Sequence, residues 1–125
     1  MKSVSFDRQD KEWSSGGKNA KEHKLKFDKG SGAHKISFLV GTPQGRYEFN
    51  QDDPIWVKED NGNCPAAPCS HPDIEVEKCN LTQLVIENKN DAKATLRYQL
   101  NVFDNVKSEW CPIDPIIDNG GNGRL

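Results

Sequence analysis

The stretch Ala94-Thr95-Leu96-Arg97-Tyr98-Gln99-Leu100-Asn101-Val102-Phe103 decides the fold class of this chain. Every second side chain from its start is apolar: Ala94, Leu96, Tyr98, Leu100 and Val102. The side chains between them are polar. Such alternation is typical of a β-strand with one face in the core and the other, polar face turned outward.

Similar alternation recurs along the chain, whereas helical periodicity is nearly absent. Residues His34–Val40 predict a second strand, and the turn sequence Thr42-Pro43-Gln44-Gly45 leads into Arg46–Phe49, so that 34–49 is predicted to be a hairpin. Short strands are also predicted at Val4–Phe6, His23–Phe27, Ile55–Lys58, Ile74–Glu77, Leu81–Glu87 and Ile113–Ile117. The sequence therefore predicts an all-β, immunoglobulin-like antiparallel β-sandwich of about seven to nine strands.

A chain of 125 residues predicts one sandwich domain spanning 1–125. The polar, glycine-containing segment Gln9–Ala20 predicts that 1–20 is a mobile N-terminal arm, and 119–125 is predicted to be a flexible tail. Hydrophobic residues make up only 34% of the chain and charged residues 29%. We therefore expect a thin core that cross-links would help to stabilise.

The cysteines predict such cross-links. An even number of cysteines in a short chain favours disulfides, each worth about 2–4 kcal/mol. We favour Cys64–Cys69, which would close a proline-rich loop, and Cys79–Cys111, which would bridge the sandwich; the other connectivities stay open. Two disulfides predict a secreted or periplasmic protein.

The sequence was also searched for a signal peptide, for a membrane-spanning segment and for the charge that nucleic-acid binding requires. Met1-Lys2-Ser3-Val4 leads into no apolar signal-peptide core, so we expect a mature chain whose natural leader has been removed. No apolar run reaches the roughly 20 residues of a membrane span. The net charge of −2 argues against a nucleic-acid partner.

A zinc-stabilised domain is the alternative use of the cysteines. Cys64, Cys69, His71 and Cys79 would supply the thiolate and imidazole ligands of a tetrahedral zinc site, but their spacing differs from that of common zinc modules. The segments Asp52-Asp53 and Glu59-Asp60-Asn61, which flank Ile55–Val57, offer oxygen ligands for a hard cation such as calcium, with a solvated loop as the simpler interpretation. The sequence predicts no cofactor, and both metal sites stay alternatives to a protein without a metal.

Catalytic motifs are not recognisable. Ser70 and His71 are neighbours whose side chains point apart on an extended chain, and there is no nucleophile elbow, phosphate-binding loop or dinucleotide fingerprint. An enzyme of the hydrolase type would need a site assembled from loops. We keep that as the alternative to a binding protein.

Aromatic and basic residues supply the candidates for binding. We expect Trp56 in the core, and Trp13 and Trp110 exposed, where an indole ring suits stacking on a sugar. Lysines are concentrated between Lys18 and Lys35, where a solvated edge strand is the simplest explanation and an anion-binding patch the alternative. The candidate ligand-binding residues are Trp13, Trp110, Lys18, Lys21, Lys24 and Lys26.

The C-terminal third of the chain has a distinctive sequence pattern. Its residues are Asp114-Pro115-Ile116-Ile117-Asp118-Asn119-Gly120-Gly121, preceded by the turn Asn88–Asp91 and the strand segment Tyr98–Leu100. This pattern resembles the closing segment of small uncharacterised bacterial secreted proteins with an immunoglobulin-like sandwich. The resemblance implies a fold and no activity. We therefore expect an extracytoplasmic, non-enzymatic module that binds a protein or carbohydrate partner.

Overall fold

The computed structural model describes residues 2–9, 12–14, 24–26, 32–41, 45–59, 67–90, 95–114 and 116–118. These residues form thirteen β-strands and no helix, so the predicted all-β class is confirmed for them. The strands are β1 (Lys2–Ser5), β2 (Asp7–Gln9), β3 (Glu12–Ser14), β4 (Lys24–Lys26), β5 (His34–Leu39), β6 (Tyr47–Phe49), β7 (Ile55–Glu59), β8 (Ile74–Cys79), β9 (Gln83–Asn88), β10 (Thr95–Leu100), β11 (Val102–Asp104), β12 (Glu109–Trp110) and β13 (Ile116–Asp118).

The first sheet has the strand order β1-β5-β9-β8. Its central pair is an unbroken antiparallel ladder that runs from His34 opposite Asn88 to Leu39 opposite Gln83. The predicted hairpin over 34–49 is therefore wrong, since β5 pairs with β9 and β6 pairs with β11. The chain leaves the first sheet after Val40, whose N–H donates to the Thr82 carbonyl, and crosses to the second layer before β6 begins.

The second layer is built around one long strand that has two parts, β10 and β11, joined at Asn101. The orders are β4-β13-β10-β7 along the first part and β12-β11-β6 along the second. The alternation predicted for this stretch is confirmed, because Leu96, Tyr98, Leu100 and Val102 are fully buried on one side. Two pairings, β1 with β5 and β4 with β13, are parallel, in contrast to the antiparallel arrangement expected throughout.

Asn101 marks an interruption in this layer. Its N–H donates to the Pro54 carbonyl and its carbonyl accepts from the Asn50 N–H, each at 2.9 Å. Residues 50–54 therefore leave the ladder as a loop between β6 and β7, while both strands stay paired with the same long strand. The loop lies beside the outer face of the layer, where it contributes to the cleft described below.

The two layers share one hydrophobic cluster. The Phe38 ring of the first sheet lies 5.6 Å from the Tyr98 ring of the second, and Phe6 stacks on Phe38 at 6.0 Å. Several sheets around a common core are compatible with a β-sandwich. The described strands are more numerous than predicted because short strands continue one another at bends such as Asn101.

The N-terminal segment differs from the mobile arm expected for 1–20. Strands β1, β2 and β3 lie within it, and Phe6 and Trp13 are buried in the hydrophobic cluster. The reason is that Lys2–Ser5 completes the first sheet beside β5, and β2 pairs with β3. Residues 15–20 and the tail 119–125 lie outside the described residues.

The predicted disulfides are wrong where they can be examined. Cys69, Cys79 and Cys111 are free thiols, and Cys64 lies outside the described residues. Cys79 ends β8 at the margin of the first sheet, whereas the Cys111 N–H donates to the Val102 carbonyl in the second layer. The two thiols are not within disulfide distance of each other, so the pair Cys79–Cys111 does not form.

Non-covalent interactions tie this layer together instead. Arg46 and Asp104 form a bidentate ion pair, with Nε–Oδ1 and Nη2–Oδ2 distances of 3.1 Å. Asp104 is only 2% exposed and also accepts from the Val106 and Lys107 N–H groups. The Arg46 hydrogen bond, more than any other contact, lowers the Asp104 pKa to about 2.

None of the described residues belongs to a helix of the length and apolarity that crossing a membrane requires.

Candidate functional site

A cleft lies on the outer face of the second layer. Its volume is about 340 Å³, which is within the range of small-ligand sites. Val102 and Pro112 form part of its wall. The other lining residues, which carry the chemistry, are Asn50, Asp53, Trp56, Gln99, Asn101 and Trp110.

Strand register brings these side chains to one face. Gln99 on β10 lies directly opposite Trp56 on β7, and Phe103 on β11 lies directly opposite Trp110 on β12. Side chains at positions 99, 101 and 103 share a face because every second residue of an extended strand points the same way. The polar outer face predicted from the alternation is therefore the wall of the cleft.

Hydrogen bonds of Asn101 connect the strand with the neighbouring loop. The Asn101 Nδ2 donates to the Asp53 carbonyl at 2.8 Å, and the Asn101 Oδ1 accepts from the Gln99 Nε2 at 2.8 Å. Asn101 is only 7% exposed, and both bonds are partly buried. The Asp53 carboxylate in turn accepts from the Trp56 indole N–H at 2.7 Å. These bonds fix the cleft before any ligand arrives.

The same network determines which polar atoms stay unpaired. A backbone carbonyl can only accept, so the Asn101 amide must present its nitrogen to Asp53 and its oxygen to Gln99. The Asn50 Oδ1 accepts from the Asp52 N–H at 3.1 Å, which fixes that amide as well. Among the described residues, the Gln99 Oε1, the Asp53 Oδ1 and the Asn50 Nδ2 have no protein partner.

The three tryptophans occupy different places. Trp110 is 57% exposed, which confirms the prediction for that residue, and its ring packs edge-on against Phe103 at 5.0 Å. Trp56 was expected in the core, but it is half-buried on the outer face, since its neighbour Val57 takes the inward position opposite Tyr98.

Trp13 was expected to be exposed and is buried instead. Its indole N–H donates to the Cys111 carbonyl at 3.1 Å, and its ring packs against Tyr47 at 5.0 Å. The Arg8 guanidinium lies over the same ring at 5.2 Å. The ring is therefore fully engaged by the fold, and Trp13 is excluded as a stacking platform.

The lysine candidates are distributed over the molecule. Lys24 and Lys26 belong to β4, the outermost described strand of its sheet, which agrees with the edge-strand interpretation. Lys35 lies on the other layer, in β5, and forms an ion pair with Glu77 at 3.2 Å. Lys18 and Lys21 lie outside the described residues. Lysines are absent from the described lining of the cleft.

The zinc alternative finds no support in the described residues, among which no group of three metal-ligating side chains occurs. The Cys79 thiol donates to the Asn80 carbonyl, whereas His71 accepts the Asp73 N–H and lies 3.6 Å from Glu59. Burial raises the pKa of Cys79, and it raises that of Cys111 to about 11. These thiols are protonated near neutral pH, so they are poor nucleophiles. Cys64, the fourth ligand of that alternative, lies outside the described residues.

Sequence reasoning identified Trp110 and missed most of its neighbours in the cleft. Gln99 and Asn101 were expected on the outer face without a role, and Asp53 was considered only as a cation ligand. The available signal was their combination with the aromatic residues. Tryptophan is enriched in binding surfaces, so Trp110 together with the polar outer positions Gln99 and Asn101 was the signal that could have marked this face.

Neither comparison with known proteins identifies a relative. No protein-family model matches this chain, and no curated protein is significantly similar to it. The functional assignment consequently depends on the cleft itself.

Proposed function

We propose that this chain is an extracytoplasmic, non-enzymatic binding module with an immunoglobulin-like sandwich, and that the cleft around Asn101 is its ligand site. The observation that carries the proposal is the pairing of an exposed indole with unpaired polar atoms in one concave surface. Apolar walls with a few convergent polar groups are what small-ligand sites share.

Preorganisation supports binding at this place. Trp56 and Gln99 are each held by a hydrogen bond to Asp53 or Asn101, so their side chains have already lost most of their rotational freedom. A ligand then meets a fixed surface and does not have to order it, which lowers the entropic cost of association. A merely solvated surface has no need of such a network.

The composition of the cleft supports binding better than catalysis. Asp53 is the single ionisable side chain in the described lining. Hydrolysis by general acid and base groups commonly needs two such groups at a defined separation, as in glycosidases. The alternative of a loop-assembled hydrolase is therefore less well supported by these residues than a binding function.

The extracytoplasmic location is part of the proposal and rests on the resemblance of the C-terminal third. The free thiols remove the support that disulfides would have given. In the resembled segment, Ile116–Asp118 forms β13, which lies between β4 and β10 in the sheet that carries part of the cleft.

The three indole N–H groups allow a test that requires no knowledge of the ligand. In ¹H–¹⁵N spectra, we expect cocktails of small polar and aromatic fragments to shift the indole signals of Trp56 and Trp110 in a saturable manner. The Trp13 indole signal serves as the internal control, because its N–H is buried and bound to the Cys111 carbonyl.

Assignment of each signal would come from the single variants Trp56→Phe, Trp110→Phe and Trp13→Phe. Saturable shifts confined to Trp56 and Trp110 support the proposal. If fragments shift all three indole signals equally, or bind only at residues remote from β7 and β10, the cleft is not the ligand site.

A further inference from the structure

The geometry points to a neutral carbohydrate as the ligand of this cleft, with Trp110 as the stacking platform and Asn50, Asp53 and Gln99 as the partners of sugar hydroxyls. This inference rests on the proposed function, since it names the ligand class of the same site.

The unpaired atoms define what the ligand must offer. The Gln99 Oε1 and the Asp53 Oδ1 are acceptors and therefore need donors from the ligand, while the Asn50 Nδ2 is a donor and needs an acceptor. A hydroxyl group both donates and accepts. Two or three neighbouring hydroxyls on one ring therefore satisfy all three protein atoms, and leaving these half-buried groups unpaired would weaken any other complex.

Proline-rich peptides, which commonly bind tryptophan-lined grooves, match this pattern less well. Their prolines have no N–H, so they present mainly carbonyl acceptors to a site that already holds two unpaired acceptors. A quaternary ammonium group would interact with the indoles and with the Asp53 charge, yet it has no hydrogen to donate. Choline adds one hydroxyl, which can donate to only one of the two unpaired acceptors, the Gln99 Oε1 and the Asp53 Oδ1.

The apolar half of the site suits the opposite face of a sugar ring. Trp110 is 57% exposed, and its ring is held edge-on by Phe103 at 5.0 Å. The negative face of an indole attracts the slightly positive C–H groups that line one face of a pyranose. Since Trp110 lies at the margin of the cleft and in contact with solvent, the bound ring can belong to a longer chain of sugars.

Electrostatics favours a neutral sugar over a charged one. Asp53 is the single charged side chain in the described lining, and lysine or arginine are absent from it. A uronic acid or sulfated sugar would place its negative charge near the Asp53 carboxylate without a compensating cation. Like charges in such a partly buried site repel each other, so the anionic sugars are disfavoured.

The test is ligand-observed NMR on the full chain with three sets of probes at millimolar concentration. The first set contains methyl glycosides and short neutral oligosaccharides of the gluco, galacto and manno series. The second set is a proline-rich decapeptide, and the third is choline. We expect saturation transfer to at least one neutral sugar, strongest at the ring protons of one face, and shifts of the Trp110 indole signal.

Two variants test the mechanism of recognition. Trp110→Ala should lower sugar affinity by about tenfold or more, because it removes the whole aromatic surface on which the sugar ring stacks. Asp53→Asn should lower it by about ten- to a hundredfold, because the retained oxygen still accepts from Trp56 while the unpaired acceptor becomes a donor. Leu81→Ala is the matched control, since Leu81 is an exposed apolar residue in the turn between β8 and β9, outside the lining of the cleft, and should leave affinity unchanged.

The outcomes separate this inference from the proposed function. Binding of a neutral sugar that Trp110→Ala and Asp53→Asn both weaken supports it. Binding of the peptide or of choline at the same indoles, with no neutral sugar bound, overturns the carbohydrate inference and leaves the ligand site in place. If no probe and no fragment shifts the signals of Trp56 and Trp110, both proposals fail.

Discussion

The two layers each have a central strand that is paired on both sides, β9 in the first and β10 with β11 in the second, and these strands behave differently. In the first layer β9 keeps an unbroken six-residue ladder with β5. In the second, the strand formed by β10 and β11 stops at Asn101, where the loop 50–54 leaves the ladder. The regular strand provides core packing, whereas the interrupted strand also provides a concave surface.

The difference arises from the use of one polar residue in each strand. On the outer face of the first layer, the Gln83 amide donates to the Ser37 hydroxyl at 2.8 Å and joins two strands that are already joined by the ladder. Asn101 instead takes the place of ladder bonds that the loop has removed. The Asn101 side chain therefore holds the loop and the strand of the second layer together, whereas the Gln83 side chain only adds one bond to two strands that the ladder already joins.

The largest expected effect concerns the ion pairs of the two layers. Asp104, buried and bidentate with Arg46, has its pKa lowered from 3.8 to about 2. A carboxyl group whose pKa is lower in the folded state contributes stability that is present above 3.8 and is lost as the pH falls through about 2. We expect Asp104→Asn to lower the urea midpoint at neutral pH and to flatten its decrease across this acid range.

The matched control is Glu77→Gln in the first layer. Glu77 pairs with Lys35 at 3.2 Å, but both side chains are substantially exposed, and exposed pairs contribute little. Parallel urea titrations of the two variants from neutral pH to acid test the contrast. An equal change of the midpoint in both would show that burial of Asp104 does not distinguish the two pairs.

The next effect concerns Asn101 itself. Asn101→Ala removes the donor to the Asp53 carbonyl and the acceptor for Gln99 in a site that is 7% exposed, so we expect a loss of about 1–3 kcal/mol in the free energy of unfolding. Gln83→Ala, which removes the supplementary pair, should cost about 0.5–1.5 kcal/mol. Urea unfolding measures both.

A second measurement keeps this prediction specific to the cleft. Asn101→Ala should also shift the Trp56 indole signal, because Asp53 is held by Asn101 on one side and accepts from Trp56 on the other. Gln83→Ala should leave that signal in place. If the two variants lose the same free energy of unfolding and neither moves the Trp56 signal, the Asn101 side chain contributes no more to its layer than the Gln83 side chain does.

Much of the second layer could be predicted from the sequence, because alternation reports directly which side chains of a strand are buried. Leu96, Tyr98 and Leu100 are inward as expected. Pairing partners are a different matter. The turn residues 42–45 favoured a local hairpin, but Tyr47 and Phe49 are buried in the common core and their strand pairs with β11, and this long-range pairing overrides the local signal.

The cleft illustrates the same limit. Alternation assigned Gln99 to the outer face but contains no information on which strand lies beside it, so Trp56 was expected in the core. The register of β10 against β7, which places Trp56 opposite Gln99, depends on pairing between residues far apart in the chain. The cysteines were misinterpreted for a related reason, since an even number of thiols says nothing about their distances in the fold.

The smallest expected effect concerns the side chains of β9 and β10 that face the core. The corresponding inward positions of β9, Leu84 and Ile86, are apolar, whereas Tyr98 of β10 carries a hydroxyl. Tyr98 is fully buried, and its Oη has no hydrogen-bond partner among the described residues. Burial also raises the pKa of this phenol well above its ordinary value, so the group stays neutral.

Tyr98→Phe should therefore stabilise the fold by about 1 kcal/mol, because it removes an unpaired polar atom and keeps the ring that packs on Phe38. Tyr47→Phe is the matched control: that ring is also buried, but its hydroxyl is not among the described buried atoms without a partner, so we expect no gain. The measurement is the urea midpoint of both variants. A loss of stability in Tyr98→Phe would mean that the hydroxyl has a hydrogen-bond partner and that β10, like its outer face at Asn101, uses a polar group to hold the layers together.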